Sequence, residues 1–299
     1  MILRLVFVGA VLSAAACGGG GAGTAARPAA TPAVTPAAPP APRPSPPPPP
    51  GPAAIHLGPS VLRYVIARRI DIHQAVQGQE SSSRLGFQVF TTATIRGPAD
   101  TAGYPTTFVV DSIVPDSGTA LPVTINLAAA RRLTFSGELH ADGEFRRSTP
   151  SDSAVAQALA QVLGTFRDFY PHFPAGGLTL GAMWTDTISR TDAVGAFDKL
   201  TVTAINNCHA SALEDRGGVH SVRIDIGSQV TMAGSGTQGG QPLTLTGTGS
   251  RHSVEFVAVD GRYLGGETLD STHLTITLPL QGLAVPVQQV SHASVKVLP

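Results

Sequence analysis

The fold is decided by an alternating stretch, RLGFQVFTTATI, at residues 84–95. Every second position from Leu85 to Ile95 carries an apolar residue, a threonine or an alanine. Most positions between them are polar or small, beginning with Arg84 and Gln88. A period of two is typical of a β-strand that buries one side and exposes the other. The stretch therefore predicts a strand on the surface of a core.

Runs of the same kind recur along the rest of the chain. They lie at residues 61–72, 106–114, 132–140, 184–190, 199–206, 219–232, 243–249, 253–259, 267–278 and 285–297. Asp142-Gly143 and Asp260-Gly261 are hairpin turn signals between such runs. Strands with one polar face favour antiparallel pairing, because the strands of parallel sheets are apolar throughout. No strands alternate regularly with helices, so a doubly wound α/β fold is disfavoured.

One helix is expected after Thr149-Pro150-Ser151-Asp152, which offers an N-cap, a proline for the first turn and an acidic residue. An apolar stripe follows at Val155, Leu159, Val162, Leu163 and Phe166, and Tyr170-Pro171 ends it. The expected fold class is therefore mainly β, of the α+β type. It is a strongly curved antiparallel sheet or half-barrel with one prominent amphipathic helix.

The balance of charged residues argues against a nucleic-acid-binding protein. The 299 residues include 20 basic and 20 acidic side chains, and charged residues make up 13% of the chain. An average globular chain has about 25%. A nucleic-acid binder needs a basic footprint to neutralise phosphates, so nucleic acid is not an expected partner.

The first residues have the arrangement of an export signal. Arg4 precedes an apolar stretch at 5–12, and small residues lead to Cys17. The apolar stretch is shorter than the ~20 residues of a membrane span, so the interpretation is a signal peptide at residues 1–16.

The end of this segment, Ala14-Ala15-Ala16-Cys17, resembles the lipobox of bacterial lipoproteins. The resemblance implies cleavage after Ala16 and a lipid on Cys17, which would anchor the protein to a membrane of the cell envelope. Gly18 in place of aspartate implies, through the same resemblance, an outer-membrane location facing the periplasm or the cell surface. The family usually has leucine where this chain has Ala14. An ordinary secretory signal cut after Ala16 is the alternative.

Residues 17–54 are rich in glycine, alanine and proline. Proline fixes φ and removes backbone donors, so this composition favours an extended, disordered stalk. Spacing a domain away from a membrane is its expected role, and a ligand for proline-recognition modules is the alternative. The β-rich globular domain is expected at residues 55–299.

A further resemblance lies between the expected helix and the next strand. Pro174, a short apolar stretch and Gly181-x-x-Trp184 resemble a motif of uncharacterised bacterial lipoproteins. The expected architecture is also similar to that of LolA/LolB-type lipoprotein carriers. That similarity concerns architecture and implies no function by itself.

An aromatic cluster is the candidate site. It consists of Phe166, Phe169, Tyr170 and Phe173, with the single tryptophan, Trp184, as a further core or ligand-stacking candidate. Large aromatic side chains bury much apolar area, so these residues are expected either to fill the core or to line an apolar cavity. The sequence leaves both interpretations open.

The sequence predicts no catalytic residue, no metal site and no cofactor. The nine histidines lack the close spacing of zinc ligands. Neighbouring Cys208 and His209 would point to opposite faces of a strand. Residues 234–239 match GxGxxG, but a strand-like run follows instead of a helix. The acidic residues, among them Asp111, Glu138, Asp225, Glu255 and Glu267, are dispersed.

The expected function is therefore that of a non-enzymatic, membrane-anchored envelope lipoprotein that binds a lipid, another hydrophobic ligand or an envelope component. The first alternative is a structural or assembly module whose partner is an envelope protein. The second is a hydrolase whose residues meet only in the fold.

Overall fold

A computed structural model describes residues 54–97, 103–117, 119, 126–163, 166–174 and 176–299. The predictions made for residues 1–53, including the signal peptide, Ala16, Cys17 and nearly all of the stalk, lie outside these residues. No helix in the described ranges is long and apolar enough to cross a membrane.

Eleven strands are present in the described residues. They are β1 (Ser60–Val76), β2 (Gln79–Ile95), β3 (Tyr104–Pro115), β4 (Thr134–Leu139), β5 (Phe145–Pro150), β6 (Met183–Val194), β7 (Phe197–Arg216), β8 (Val219–Gln238), β9 (Gln241–Ala258), β10 (Tyr263–Leu278) and β11 (Leu283–Leu298). A 3₁₀ turn at Leu127–Ala130 precedes β4, and another at Pro279–Gln281 precedes β11.

All the strands belong to one antiparallel sheet, in the order β5-β4-β3-β2-β1-β11-β10-β9-β8-β7-β6. Two meanders, β1–β5 and β6–β11, are joined where the first strand pairs with the last, with Ile70 opposite Ser291. The sheet is not closed, and β5 and β6 are its two edges. The prediction of a mainly β fold with antiparallel pairing is confirmed.

Strand β9 differs from its prediction. Residues 243–249 and 253–259 were expected as separate strands, but both belong to the single strand β9. Gly249 interrupts the apolar pattern, yet it is paired with Val230 on one side and Thr272 on the other. Ladder hydrogen bonds to two neighbours thus outweigh the low strand propensity of glycine. The short strand β5 was missed altogether.

The prominent helix is a wrong prediction. Its place is taken by α1 (Ser153–Ala158), α2 (Ala160–Leu163) and a 3₁₀ turn at Phe166–Asp168. Asp152 is the N-cap, accepting a hydrogen bond from the Val155 backbone at 3.0 Å, and Pro150 ends β5 instead of starting the helix. Gly164 follows α2 in the sequence, and glycine is a poor helix former. The predicted apolar stripe is nevertheless buried at Leu159, Val162 and Phe166.

The core consists of two apolar clusters on one face of the sheet, which we call the inner face. One cluster includes Tyr64, Phe108 and Phe166 and lies beneath the connection between β5 and β6. The other contains Ile70, Phe197, Leu245 and further buried residues, all from the sheet's own strands. These strand residues therefore bury one another without a covering helix from the described residues.

Candidate functional site

The candidate site is formed by the described residues of the connection from β5 to β6, which we call the strap: 151–163, 166–174 and 176–182. Its aromatic side chains pack onto the inner face. The Phe166 ring stacks on Phe108 at a centroid distance of 4.4 Å, and Phe169 meets Tyr64 edge-on at 4.9 Å. Tyr170 contacts Tyr263 at 5.8 Å. Such pairs add about 0.5–1.5 kcal/mol each beyond their burial, so the strap is bound tightly to the sheet.

Polar contacts fix the strap at both edges of the sheet. The fully buried carboxylate of Asp168 forms an ion pair with Arg190 of the edge strand β6. On the other side, the Phe173 backbone donates a hydrogen bond of 2.8 Å to the Asp142 carbonyl in the β4–β5 hairpin. A Cβ at Gly143 in the same hairpin would overlap the strap backbone. The strap therefore bridges the two free edges.

The contact between the strap and the β4–β5 hairpin includes two groups with shifted pKa values, His172 and Glu144. Burial lowers the pKa of His172 to about 4, so the imidazole is neutral at pH 7. Burial opposes the ionisation of Glu144, but hydrogen bonds from Arg146 and Arg167 outweigh it and lower the pKa to about 2. Arg167 belongs to the strap and Glu144 to the hairpin, so this contact joins the two.

A cavity of about 110 Å³ lies between the strap and the inner face. Its roof is mostly apolar and includes Val162, Leu163, Phe166, Phe169 and Tyr170, with Asp168 as the one charged residue that the strap contributes to the lining. An apolar cavity of about 150 Å³ can hold a benzene ring. The space under the strap therefore suits a small apolar group or the end of a chain, and a longer chain requires the strap to move.

The floor of the cavity is partly charged. Glu255, Tyr263, Arg68 and Asp270 all line it. Burial raises the pKa of Glu255 to about 7, against the opposing effect of a hydrogen bond donated by the Tyr263 hydroxyl. A Cβ at Gly266, the residue opposite Glu255, would overlap the carboxylate, so glycine provides the room for it. Glu255 can therefore gain or lose a proton near neutral pH.

Asp270 in the floor belongs to a buried ion pair with a residue behind the cavity lining. The Nε of Arg251 donates a hydrogen bond to Asp270, and both side chains are almost completely buried. Burial lowers the pKa of Arg68 to about 10, while the Asp270 carboxylate partly offsets this effect. All the same, Arg68 is cationic at pH 7, and Asp270 is flanked by two guanidinium groups.

The structure separates the predicted site residues into two groups. Phe166, Phe169 and Tyr170 line the cavity. Phe173 is fully buried in the core, and the partly buried Trp184 packs against the same cluster. The sequence left open whether these aromatic residues fill the core or line an apolar cavity. They do both, because the aromatic residues of the cavity roof also belong to the core cluster.

The structure shows where the glycine-rich match and the Cys208-His209 pair lie in the fold. Residues 234–238 end β8, and a Gly239-Gly240 turn leads into β9, so no helix follows the glycine-rich match. Cys208 is buried and His209 is exposed, on opposite faces of β7. Within the described residues, no three His, Cys, Asp or Glu side chains are grouped closely enough to hold a metal ion.

No protein-family model and no curated protein matches the sequence. Among solved structures, the chain is similar to Pseudomonas aeruginosa OccK2 (OpdF), with 6% identity over 80% of this chain and 98% of that one and a TM-score of 0.27. A putative exported protein with YmcC-like fold from Bacteroides fragilis has 9% identity over 83% and 100% of the two chains and a TM-score of 0.25. For Acinetobacter baumannii OccAB4 the identity is 10%, over 80% and 98%, and the TM-score is 0.18. At such TM-scores these likenesses carry no argument about function.

Proposed function

We propose that the protein is a non-enzymatic lipoprotein of the bacterial cell envelope that binds a hydrophobic ligand beneath the strap. The proposal combines the lipobox-like segment ending at Cys17 with the cavity under the strap. The cavity is the observation that carries it, since a packed core would have left no such space between the aromatic roof and the sheet.

The shape of the site supports a ligand with a small apolar group. The roof is mostly aromatic and aliphatic, and the volume of about 110 Å³ is close to that of cavities that hold one small ring. Only the end of an acyl chain would fit into this space unless the strap moves away from the sheet. We therefore expect affinity to depend on how easily the strap separates from the sheet.

A hydrolase is the second candidate, because the fold brings Glu255, Tyr263 and Asp270 to one cavity. A carboxyl group with a pKa of about 7 suits general acid–base chemistry near neutral pH. In the described residues, however, no serine or cysteine forms a hydrogen bond with Glu255. Binding is therefore the better-supported function.

The ligand proposal is tested by native mass spectrometry of the chain carrying Cys17→Ser, purified without detergent. An adduct that is released on denaturation and identified as a lipid or other hydrophobic molecule supports it. A bare mass, together with no change in melting temperature on adding octanoic acid or monooctanoylglycerol, contradicts it.

The anchor is tested separately. In a bacterial host fed with a labelled fatty acid, the unmodified chain should acquire label and sediment with membranes, and Cys17→Ser should do neither. Cys208→Ser is the matched control and should keep the label. Membrane sedimentation of Cys17→Ser at the level of the unmodified chain would count against the lipid anchor.

A further inference from the structure

Glu255 differs from the other carboxylates that line the cavity. Asp168 and Asp270 each form an ion pair with an arginine. Glu255 forms no ion pair within the described residues, and its one hydrogen bond there is donated by the Tyr263 hydroxyl. A buried charge costs free energy unless it is paired. When Glu255 is ionised, its charge therefore lacks a counter-ion in the described part of the chain.

One oxygen of this carboxyl group is open to a ligand. The Tyr263 hydroxyl donates its hydrogen bond to Oε2, and Oε1 accepts none from the described residues. Oε1 is not one of the buried polar atoms that lack a partner, so it retains accessible surface. Glu255 lines the cavity and is only partly buried. A group bound beneath the strap can therefore donate a hydrogen bond to Oε1.

The other buried charges of the strap and the inner face balance one another in the described residues. They are the carboxylates of Asp168, Asp186 and Asp270 and the guanidinium groups of Arg68, Arg251 and the partly buried Arg190. His172 is neutral at pH 7, because burial lowers its pKa to about 4. An ionised Glu255 is therefore one negative charge in excess.

Neither Arg251 nor Arg68 neutralises this charge. Arg251 attracts the Glu255 carboxylate, but burial has the larger effect and raises the pKa of Glu255 to about 7. Arg251 is itself paired with Asp270. Arg68 is on β1, and both β11 and β10 lie between β1 and β9 in the sheet. A bound molecule can supply the cation that Glu255 lacks.

Glu255 is also the lining residue whose charge changes near neutral pH. The other ionisable groups of the lining are Arg68 from β1, Tyr263 and Asp270 from β10, and Asp168 and Tyr170 from the strap. Burial raises the pKa of both tyrosines well above its usual value and lowers the pKa of Arg68 only to about 10. Both aspartates are ion-paired. A change in ligand affinity between pH 6 and pH 8 therefore reports on Glu255.

We propose that the cavity binds an amphipathic amine whose protonated amino group pairs with Glu255. This inference rests on the proposed function, since the apolar part of the same molecule lies beneath the strap. An ammonium group is compact and carries three N–H donors, so it suits an acceptor oxygen in a cavity of about 110 Å³. A carboxylate head group would add a second negative charge beside Glu255.

The test compares three probes with apolar chains of similar length and different head groups: octylamine, monooctanoylglycerol and octanoic acid. Binding is measured by calorimetry on the full chain with Cys17→Ser, at pH 6 and pH 8 and below micelle formation. Glu255→Gln removes the charge and keeps the shape, and thermal unfolding shows whether this variant is folded. Glu267→Gln is the matched control, because Glu267 is exposed on β10.

We expect octylamine to bind more tightly than the other two probes at pH 8. Its amino group stays protonated, as lysine does with a pKa of about 10.4. With a pKa of about 7, the ionised fraction of Glu255 rises about tenfold between pH 6 and pH 8, and the affinity for octylamine should rise by the same factor.

Glu255→Gln should remove this pH dependence and weaken octylamine at pH 8 by about tenfold or more, the effect of one hydrogen bond to a charged group. The affinity for monooctanoylglycerol should change little with pH or with the substitution. Glu267→Gln should leave the binding of all three probes unchanged.

Four other results would overturn the inference. If monooctanoylglycerol or octanoic acid binds at least as tightly as octylamine at pH 8, the head group is not an amine, and the hydrophobic-ligand proposal stands. An affinity for octylamine that stays the same or falls between pH 6 and pH 8 would contradict pairing with an ionised Glu255, and so would unchanged octylamine binding in folded Glu255→Gln. If none of the probes binds, the proposed function fails and the inference with it.

Discussion

Replacing Glu255 by glutamine should stabilise the protein in a strongly pH-dependent way. Burial raises the pKa of this carboxyl group from 4.5 to about 7 in the folded chain. Between these two pH values the unfolded chain has lost the proton and the folded chain retains it. Stability therefore falls as the pH rises through this window, and the full penalty is present above pH 7.

The size of the effect follows from the difference in pKa. At about 1.4 kcal/mol per pKa unit, the rise from 4.5 to about 7 costs the native protein about 3 kcal/mol above pH 7. Glutamine has the same shape, carries no charge and can still accept the hydrogen bond of the Tyr263 hydroxyl. Glu255→Gln should therefore raise the melting temperature at pH 8 by about 6–12 °C and leave it unchanged at pH 4.

The assay is thermal unfolding of parent and variant side by side at pH 4, 6 and 8. Taking the difference between the two proteins removes the contributions of other titrating groups, His172 among them. Glu267→Gln, on an exposed position of β10, is the control and should show no comparable pH-dependent gain. A gain of equal size at pH 4 and pH 8 would refute the electrostatic reasoning, as would a loss of stability at pH 8.

Three further perturbations address the strap and the stalk. Asp168→Asn should destabilise the fold by about 3 kcal/mol in urea unfolding, since Arg190 loses its buried carboxylate; a loss below about 1 kcal/mol would mean that the ion pair does not hold the strap. Gly143→Ala should cost more than Gly218→Ala by about 2 kcal/mol, because both glycines have positive φ but only the Cβ at Gly143 meets the strap backbone; equal losses would contradict that contact. Deleting residues 27–53 should leave the melting temperature of the remaining chain unchanged, and a fall of more than about 5 °C would show that the stalk packs on the domain.

The alternation of the sequence predicted most of the sheet, because burial of one strand face imposes a period of two. The Asp-Gly turn signals at Asp142-Gly143 and Asp260-Gly261 also predicted the positions of two hairpins correctly. The helix was predicted too long, since an apolar spacing that suits a helix also suits a strap of short turns lying on a sheet. The spacing specifies which side chains are buried, and the backbone between them depends on tertiary contacts.

The candidate site was predicted only in part. The aromatic residues of the roof are close together in the sequence, so their clustering was visible. The charged floor is assembled from strands far apart in the chain, and strand register cannot be derived from spacing within one strand. The available signal was a polar residue at an inner-face position, such as Ser228 between Ile226 and Val230.

The pairing of β1 with β11 has a consequence for how the chain reaches its native state. Every other ladder joins strands that are neighbours in the sequence, whereas this one joins residues more than 200 positions apart, such as Gln74 and Val287. Bringing such distant segments together costs roughly 5 kcal/mol of chain entropy. We therefore expect the sheet to be completed late, after both meanders have formed, and folding to be slow. During synthesis, β1 can pair with β2 soon after both are made, but its other edge has no partner until β11, nearly the last part of the described chain, has been synthesised.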